Sequence, residues 1–190
     1  MSAAGGGAVR EESEVKLPCR DLEALRGKLR AAGASLHAPE HFESNELYDD
    51  ADGRLASGGR LLRVREAAGS TTLTYKGPPR FLGGVKVREE RETTVANVRE
   101  LAAILGGLGL SRKFRYEKKR EEWNLHACVI ALDHTPIGEF VEIEGAPGDI
   151  RRALGALELD FSTAIPYSYA RLYLDRRKKD PSLPPDMVFS

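Results

Sequence analysis

Length, composition and charge exclude several classes of protein. A chain of 190 residues suits one domain with a sizeable core, and 41% hydrophobic with 31% charged residues is typical of a globular chain. Because 29 basic residues balance 29 acidic ones, the overall charge gives no attraction to nucleic acid or to an anionic membrane.

The cysteines and the chain ends indicate where such a protein works. Cys19 and Cys128 are too few for a disulfide framework, which favours a reducing, cytoplasmic setting. No segment has the apolar length of a signal peptide core or a membrane span, so we expect no membrane partner. The composition predicts a flexible leader at residues 1–10 and a C-terminal tail at 176–190, whose proline-rich part from Asp180 onwards we expect to be extended. The tail includes the basic run 176–179, which we expect to be solvated.

Charged residues recur at every second position in six segments that are predicted to be strands. Side chains alternate between the two faces of a strand, so Glu12, Glu14 and Lys16 share one face. In each of the five later segments, one set of residues shares a face of its own strand. These sets are Arg63 and Arg65; Thr74 and Lys76; Lys86, Arg88, Glu90 and Glu92; Tyr116, Lys118 and Arg120; and Phe140, Glu142 and Glu144. An apolar run that ends at Asp133 predicts a further, buried strand.

Helices are predicted between these strands. Asp21 resembles an N-cap before Leu22, Leu25 and Leu29, and Gly33 ends that helix. Asn97 and Glu100 resemble a capping box before a second apolar stripe, formed by Leu101, Ile104, Leu105 and Leu108. Two more helices are predicted at about 149–157 and 167–174. We expect the apolar stripes to be core contacts that cover the outer faces of the strands.

Two structures explain the alternation of charged residues. A half-solvated antiparallel sheet alternates in the same way. However, the charged faces carry eight cations and six carboxylates, whereas a solvent face would contain more Thr, Ser, Gln and Asn. Strands in this number could close into a barrel with the charged faces inward. Alternation by itself does not show which face is inside.

The residue types suit one kind of chemistry. Carboxylates are ligands of Mg²⁺ and Mn²⁺, while arginine and lysine match phosphate oxygens. The chain has no GxxxxGK[ST] loop, its four histidines have no zinc spacing, and no nucleophile motif is present. A nucleic-acid binder would place aromatic residues among its basic ones, and six interleaved carboxylates argue against it. The pattern therefore predicts a metal-dependent site for a small triphosphate compound.

The order of the motifs resembles the CYTH domain family, also called triphosphate tunnel metalloenzymes. ExExK at 12–16 is followed by NELYDDADGRLASGGRLLRVRE, TYKGP, the RxExE at 88–92, the KxR at 118–120, LD at 132–133, FVEIEG, and the pair Ser168 and Tyr169. The similarity covers roughly Glu12 to Leu174. It implies an α+β fold in which a closed eight-stranded antiparallel β-barrel is flanked by helices, with the domain at 11–175.

The same resemblance implies roles for individual residues. It makes Glu12, Glu14, Glu142 and Glu144 metal ligands for Mg²⁺ or Mn²⁺, with Asp133 as a helper. The implied triphosphate contacts are Lys16, Arg63, Arg65, Lys76, Lys86, Arg88, Lys118 and Arg120. The catalytic set is Glu12, Glu14, Lys16, Arg63, Arg65 and Arg120. Glu90 and Glu92 either hold a second metal or orient the basic residues.

One residue departs from the family pattern. Many members place a lysine on the C-terminal helix near the tunnel mouth, whereas the nearest basic residue here is Arg171. Arginine is a poor proton acceptor, so we expect no base there.

The family resemblance leaves three functions open. We expect a metal-dependent triphosphatase acting on inorganic triphosphate, thiamine triphosphate or a nucleoside triphosphate. A class IV adenylyl cyclase that converts ATP to cyclic AMP and pyrophosphate is the first alternative. A non-catalytic polyphosphate or nucleotide binder is the second. The expected partner is a small molecule and not a nucleic acid, and the protein is expected to be a monomer or a homodimer.

Overall fold

The computed structural model describes residues 10–190. Residues 1–9 of the predicted leader lie outside the described residues. The strands are β1 (Arg10–Cys19), β2 (Ser35–Asp49), β3 (Leu61–Ala67), β4 (Ser70–Lys76), β5 (Arg80–Leu82), β6 (Val85–Thr94), β7 (Ser111–Leu125), β8 (Cys128–Thr135) and β9 (Gly138–Glu144). The helices are α1 (Leu22–Ala31), α2 (Arg54–Ser57), α3 (Val98–Gly107), α4 (Pro147–Ala156) and α5 (Tyr169–Lys179), with a 3₁₀ turn at Phe161–Thr163.

The antiparallel strands close into a barrel. Their order is β1-β9-β8-β7-β2-β3-β4-β6, and β6 pairs back onto β1. Glu90 of β6 pairs with Arg10 of β1 on one edge and with Lys76 of β4 on the other. The short β5 pairs with residues 85–87 of β6, on the same edge where β4 pairs with residues 90–94. β4 and β5 therefore share one place in the ring, and the barrel has eight strand positions. The predicted closed eight-stranded barrel with flanking helices is confirmed.

Two helices cover the apolar outer face of the barrel, as predicted. Leu25 and Leu29 of α1 and Ile150 of α4 are buried against strand residues such as Val141 and Ile143. The Asp21 side chain accepts a hydrogen bond of 2.9 Å from the Ala24 amide and starts α1. Burial of these apolar side chains on the outside leaves the opposite, charged faces to line the interior.

The exposed face of α3 contradicts the expectation that its apolar stripe is a core contact. Leu105 is buried, but Ile104 is 59% and Leu108 is 70% exposed. Asn97 caps the helix as predicted, by accepting a bond from the Glu100 amide. Helical periodicity reports that one side is apolar, but it does not report whether another element lies against that side.

The last helix is longer than predicted. Ser168 caps α5 through the Arg171 amide, and the basic run 176–179, which was predicted to belong to the C-terminal tail, forms the last turn of the helix. Cations are favourable at a helix C-terminus because they face its negative end. These side chains are largely exposed, as expected. No helix formed by residues 10–190 combines the length and the apolar character needed to cross a bilayer.

The C-terminal segment returns to the barrel. Met187 donates a backbone hydrogen bond of 3.0 Å to the carbonyl of Arg115, and the Glu117 amide donates one of 2.9 Å to the carbonyl of Met187. Since β2 occupies one edge of β7, this segment takes the other edge, beyond the end of β8. The Met187 side chain is fully buried against Phe114, Tyr116, Phe140, Tyr169 and Tyr173.

Candidate functional site

The charged faces point into the barrel. A cavity of about 520 Å³ is lined by all fourteen of the charged residues that alternation predicts to share faces. They are Glu12, Glu14, Lys16, Arg63, Arg65, Lys76, Lys86, Arg88, Glu90, Glu92, Lys118, Arg120, Glu142 and Glu144. The alternating charges were explained either by a half-solvated sheet or by a barrel with its charged faces inward. Closure of the sheet decides for the barrel, because a closed ring has an interior that an open sheet lacks.

Strand register brings opposite charges together on this wall. Glu14 of β1 is the direct partner of Lys86 of β6, and their side chains form an ion pair. Lys16 pairs in register with Glu142 of β9, and its Nζ lies 3.1 Å from a Glu142 oxygen. Directly opposed residues on one face of an antiparallel pair approach closely, so the register itself builds these contacts.

The charge of the buried Glu12 carboxylate is only partly compensated. Its pKa is raised to about 7, first by burial and then by the neighbouring charge of Glu14. The Lys76 ammonium, 2.5 Å from a Glu12 oxygen, opposes this rise. For Glu14, burial would also raise the pKa, but Lys86, Lys76 and Lys16 together outweigh burial and hold the pKa at about 2. The two carboxylates of the ExExK motif therefore differ in how readily they ionise.

The same wall meets the donor requirement of a divalent metal. The buried carboxylates of Glu12, Glu14 and Glu90 repel one another, and a bound cation would relieve that repulsion. Within residues 10–190, however, acidic and histidine side chains do not converge as a ready-made site of three or more ligands. Lysines such as Lys76 and Lys86 hold the carboxylates instead. The chemistry of the donors fits Mg²⁺ or Mn²⁺, and metal binding would have to displace these ammonium groups.

The basic part of the wall has hydrogen-bond donors to spare. The Nε atoms of Arg63 and Arg88 are buried and, among the described residues, have no hydrogen-bond partner. Another nitrogen of Arg63, Nη2, donates a bond of 3.3 Å to the Thr74 hydroxyl. Leaving a buried donor unpaired is costly, so such donors mark a place where a ligand with acceptor oxygens would be stabilised.

Comparison with known proteins identifies the fold family. The profile of the CYTH domain matches residues 10–186, nearly the whole described chain. The chain belongs to the CYTH domain family. A Methanocaldococcus jannaschii protein provisionally named adenylate cyclase is 25% identical over 148 residues, covering 77% of this chain and 83% of that protein.

Solved structures show the same barrel. A Vibrio parahaemolyticus protein provisionally named adenylate cyclase has a TM-score of 0.75 and 20% identity, covering 87% of this chain and 99% of that one. A Hippeastrum protein provisionally named adenylyl cyclase, and described as having a dominant triphosphatase activity, has a TM-score of 0.63 and 19% identity. That match covers 87% of this chain and 95% of that one.

Asp133 of this CYTH domain lies behind the tunnel wall. It is fully buried and accepts bonds from Arg120 at 2.7 and 2.6 Å, from Lys118 at 3.2 Å and from the Tyr169 hydroxyl at 2.7 Å. Both oxygens are thus occupied by donors in this structure, and the expected role of Asp133 as a helper at the metal stays a prediction. Its contacts orient two basic residues of the wall.

Glu90 and Glu92 contact cations in this structure. Glu90 lies 3.4 Å from Lys76, and Glu92 lies 3.3 Å from Arg65 while it accepts a bond of 2.7 Å from Thr74. Of the two roles that were open for these carboxylates, orientation of basic residues is the one with contacts here.

Arg171 lies outside the tunnel. Its side chain is 59% exposed and its Nε donates a bond of 2.6 Å to Asp175 on the same helix. This agrees with the expectation that Arg171 is not a base in the site. The residues of α5 that reach the cavity are Ser168, Tyr169 and Ala170.

Sequence patterns missed several residues of the CYTH tunnel. Glu43 and Asn45 of β2 are buried, and Asn45 pairs in register with Arg65 and Tyr116, which line the cavity. Polar and apolar residues occur on both faces of β2, so period-two alternation gave no signal there. Asp49 of the same strand accepts bonds from the amides of residues 50, 55 and 56, and it therefore shapes the turn into α2.

Proposed function

We propose that this CYTH domain hydrolyses a small triphosphate compound with the help of Mg²⁺ or Mn²⁺. The observation that carries the proposal is the tunnel wall itself, where nine lysine and arginine side chains and seven carboxylates line one cavity. A triphosphate group has many acceptor oxygens and several negative charges. The lysine and arginine side chains of the wall supply hydrogen-bond donors for the oxygens and positive charges for the negative ones.

The arginines and lysines would bind and orient the polyphosphate. Arg63 and Arg88 each keep a buried Nε that has no hydrogen-bond partner among the described residues, and Arg120 is held by the Asp133 carboxylate in a fixed orientation. Phosphoryl transfer depends mainly on such positioning and on stabilisation of the charge that develops on phosphate oxygens. Glu12, Glu14, Glu142 and Glu144 are the carboxylates that would hold the metal. A divalent cation there would supply charge neutralisation and Lewis acidity.

The charged lining favours hydrolysis over cyclisation. Hydrolysis needs the polyphosphate to be held, whereas cyclisation also needs the ribose and base to be held against the α-phosphorus. Most of the cavity residues are charged, and Leu47, Leu61 and Val129 are among the apolar ones. The Hippeastrum protein, which has a similar fold and is described as having a dominant triphosphatase activity, is consistent with this choice.

A cyclase is the second candidate, because the Methanocaldococcus jannaschii relative is provisionally named for that activity. The test is incubation of the purified protein with inorganic tripolyphosphate, thiamine triphosphate or ATP, each with Mg²⁺ and with Mn²⁺. Release of inorganic phosphate supports the hydrolase. Formation of cyclic AMP with pyrophosphate from ATP would overturn it in favour of the cyclase, and tight binding without turnover would leave a polyphosphate binder.

A further inference from the structure

Glu43 places a buried negative charge behind the basic wall of the tunnel. It lies on β2 and is only 2% exposed, so water does not screen it effectively. Its oxygens lie 3.5 Å from Lys118 Nζ, 3.7 Å from Arg65 Nη1 and 3.6 Å from His41 Nε2. The motifs that carry the family resemblance do not include Glu43.

The carboxylate is kept ionised by the cations around it. Burial would raise the pKa of Glu43, but Lys118, Arg120 and other basic residues of the wall outweigh burial and hold it well below its usual range. Glu43 Oε2 has no hydrogen-bond donor among the described residues. The group therefore acts through its charge, because the contacts at 3.5 to 3.7 Å are too long for strong directional bonds.

The positions of the two nearest cations do not depend on Glu43. Lys118 also donates to Asp133 at 3.2 Å. Arg65 also reaches Glu92 at 3.3 Å and Thr72 at 3.4 Å. Removal of the Glu43 charge would thus leave both side chains anchored while the wall becomes more positive.

We infer that Glu43 is an internal counter-charge that limits how tightly the tunnel binds a polyphosphate. This inference rests on the proposed triphosphate-binding function. Without Glu43, Lys118 and Arg65 would be less compensated, so the wall would retain an anionic product as well as substrate more tightly, and tight retention slows turnover. Glu43 lowers the attraction for both, so that binding is strong enough to hold substrate and weak enough to release product.

The test compares Glu43→Gln with Glu121→Gln by calorimetric titration of inorganic tripolyphosphate. Glutamine keeps the shape of the side chain and removes its charge. Glu121 is the matched control, because it is a buried, ion-paired glutamate whose partners, Arg26 and Trp123, lie away from the cavity. We expect Glu43→Gln to lower the Kd for tripolyphosphate by on the order of tenfold, with a lower kcat, and Glu121→Gln to leave the Kd unchanged.

The possible outcomes separate the two proposals. A Kd that is unchanged or higher in Glu43→Gln, with a wild type that binds, overturns the role of Glu43 and leaves the triphosphate site intact. A wild type that does not bind tripolyphosphate, with or without Mg²⁺, overturns the proposed function itself. If Glu43→Gln does not fold, Glu43→Asp is measured instead. Because aspartate keeps the charge, we expect its Kd to lie within about twofold of wild type. A lower Kd in Glu43→Asp overturns the inference.

Discussion

The hydroxyl of Tyr169 donates a 2.7 Å hydrogen bond to Asp133. This contact joins α5 to the strand β8 and to the carboxylate that holds two basic residues of the tunnel wall. The Tyr169 ring also lies 3.7 Å from the Lys16 ammonium, a cation–π contact. One side chain of the last helix thus contacts several of the groups that are proposed to bind triphosphate.

Replacement of Tyr169 by phenylalanine should impair turnover more than folding. The ring and its contact with Lys16 remain, but Asp133 loses one donor, and we expect kcat/KM to fall by roughly tenfold. Tyr173→Phe is the control, since Tyr173 is equally buried but donates to the carbonyl of Pro184, away from the cavity. Steady-state kinetics with the triphosphate compound that the wild type hydrolyses would give kcat/KM for both variants. Equal effects of the two variants would contradict the positioning role of Tyr169.

Loss of the carboxylate at position 142 should abolish metal-dependent turnover. Glu142→Gln removes a proposed metal ligand from β9, and we expect activity to fall by at least a hundredfold while the circular dichroism spectrum is retained. Glu139→Gln changes a glutamate of the same strand that does not line the cavity, so its activity should match wild type. Full activity of Glu142→Gln over a range of Mg²⁺ concentrations would argue against the proposed ligand.

Arg63 should contribute mainly to substrate binding. Its side chain lines the cavity and has an unpaired buried donor, so Arg63→Ala should raise KM by about tenfold or more through loss of a charge-assisted contact. Arg112→Ala removes an exposed arginine that is paired with Asp186 outside the cavity. An unchanged KM in Arg63→Ala, or an equal rise in Arg112→Ala, would count against a phosphate contact.

Glu43 should make the stability of the protein depend on pH. Its folded-state pKa lies below the usual value of 4.5, so its contribution is present above that pH and is lost as the pH falls through the lowered value. At pH 7 we expect Glu43→Gln to lower the free energy of unfolding by roughly 2 kcal/mol. Urea unfolding at pH 7 and pH 3 should show a smaller difference from wild type at pH 3. A stability difference between Glu43→Gln and wild type that is larger at pH 3 than at pH 7 would contradict the lowered pKa of Glu43.

Met187 should anchor the C-terminal segment. Because its side chain is fully buried among aromatic residues, Met187→Ala should cost about 3 kcal/mol of unfolding free energy. The Glu117 amide, which bonds to the Met187 carbonyl, should then exchange its hydrogen faster. Leu174→Ala, at a position that is 37% exposed, should cost much less. Similar losses in both variants would show that the segment is not held by Met187.

The sequence by itself determined the local features of this protein. Alternation in β1, β3, β4, β6, β7 and β9 identified which charged residues share a face, because successive side chains of any strand point to opposite sides. Asp21 and Asn97 identified two helix starts, since an N-cap contacts amides only two or three residues away. The donor types also predicted metal and phosphate chemistry, and the ordered motifs predicted the family.

Tertiary structure alone decided which face is inside and how the charges pair. Glu14 and Lys86 are 72 residues apart, and they meet only because β6 closes the ring onto β1. The same holds for Asp133 and Tyr169, which are 36 residues apart and whose contact joins α5 to a carboxylate behind the tunnel wall. Ile104 and Leu108 stay exposed because no described element covers that side of α3. Local periodicity follows from the geometry of one element, whereas burial and charge compensation depend on partners that the chain brings in from far away.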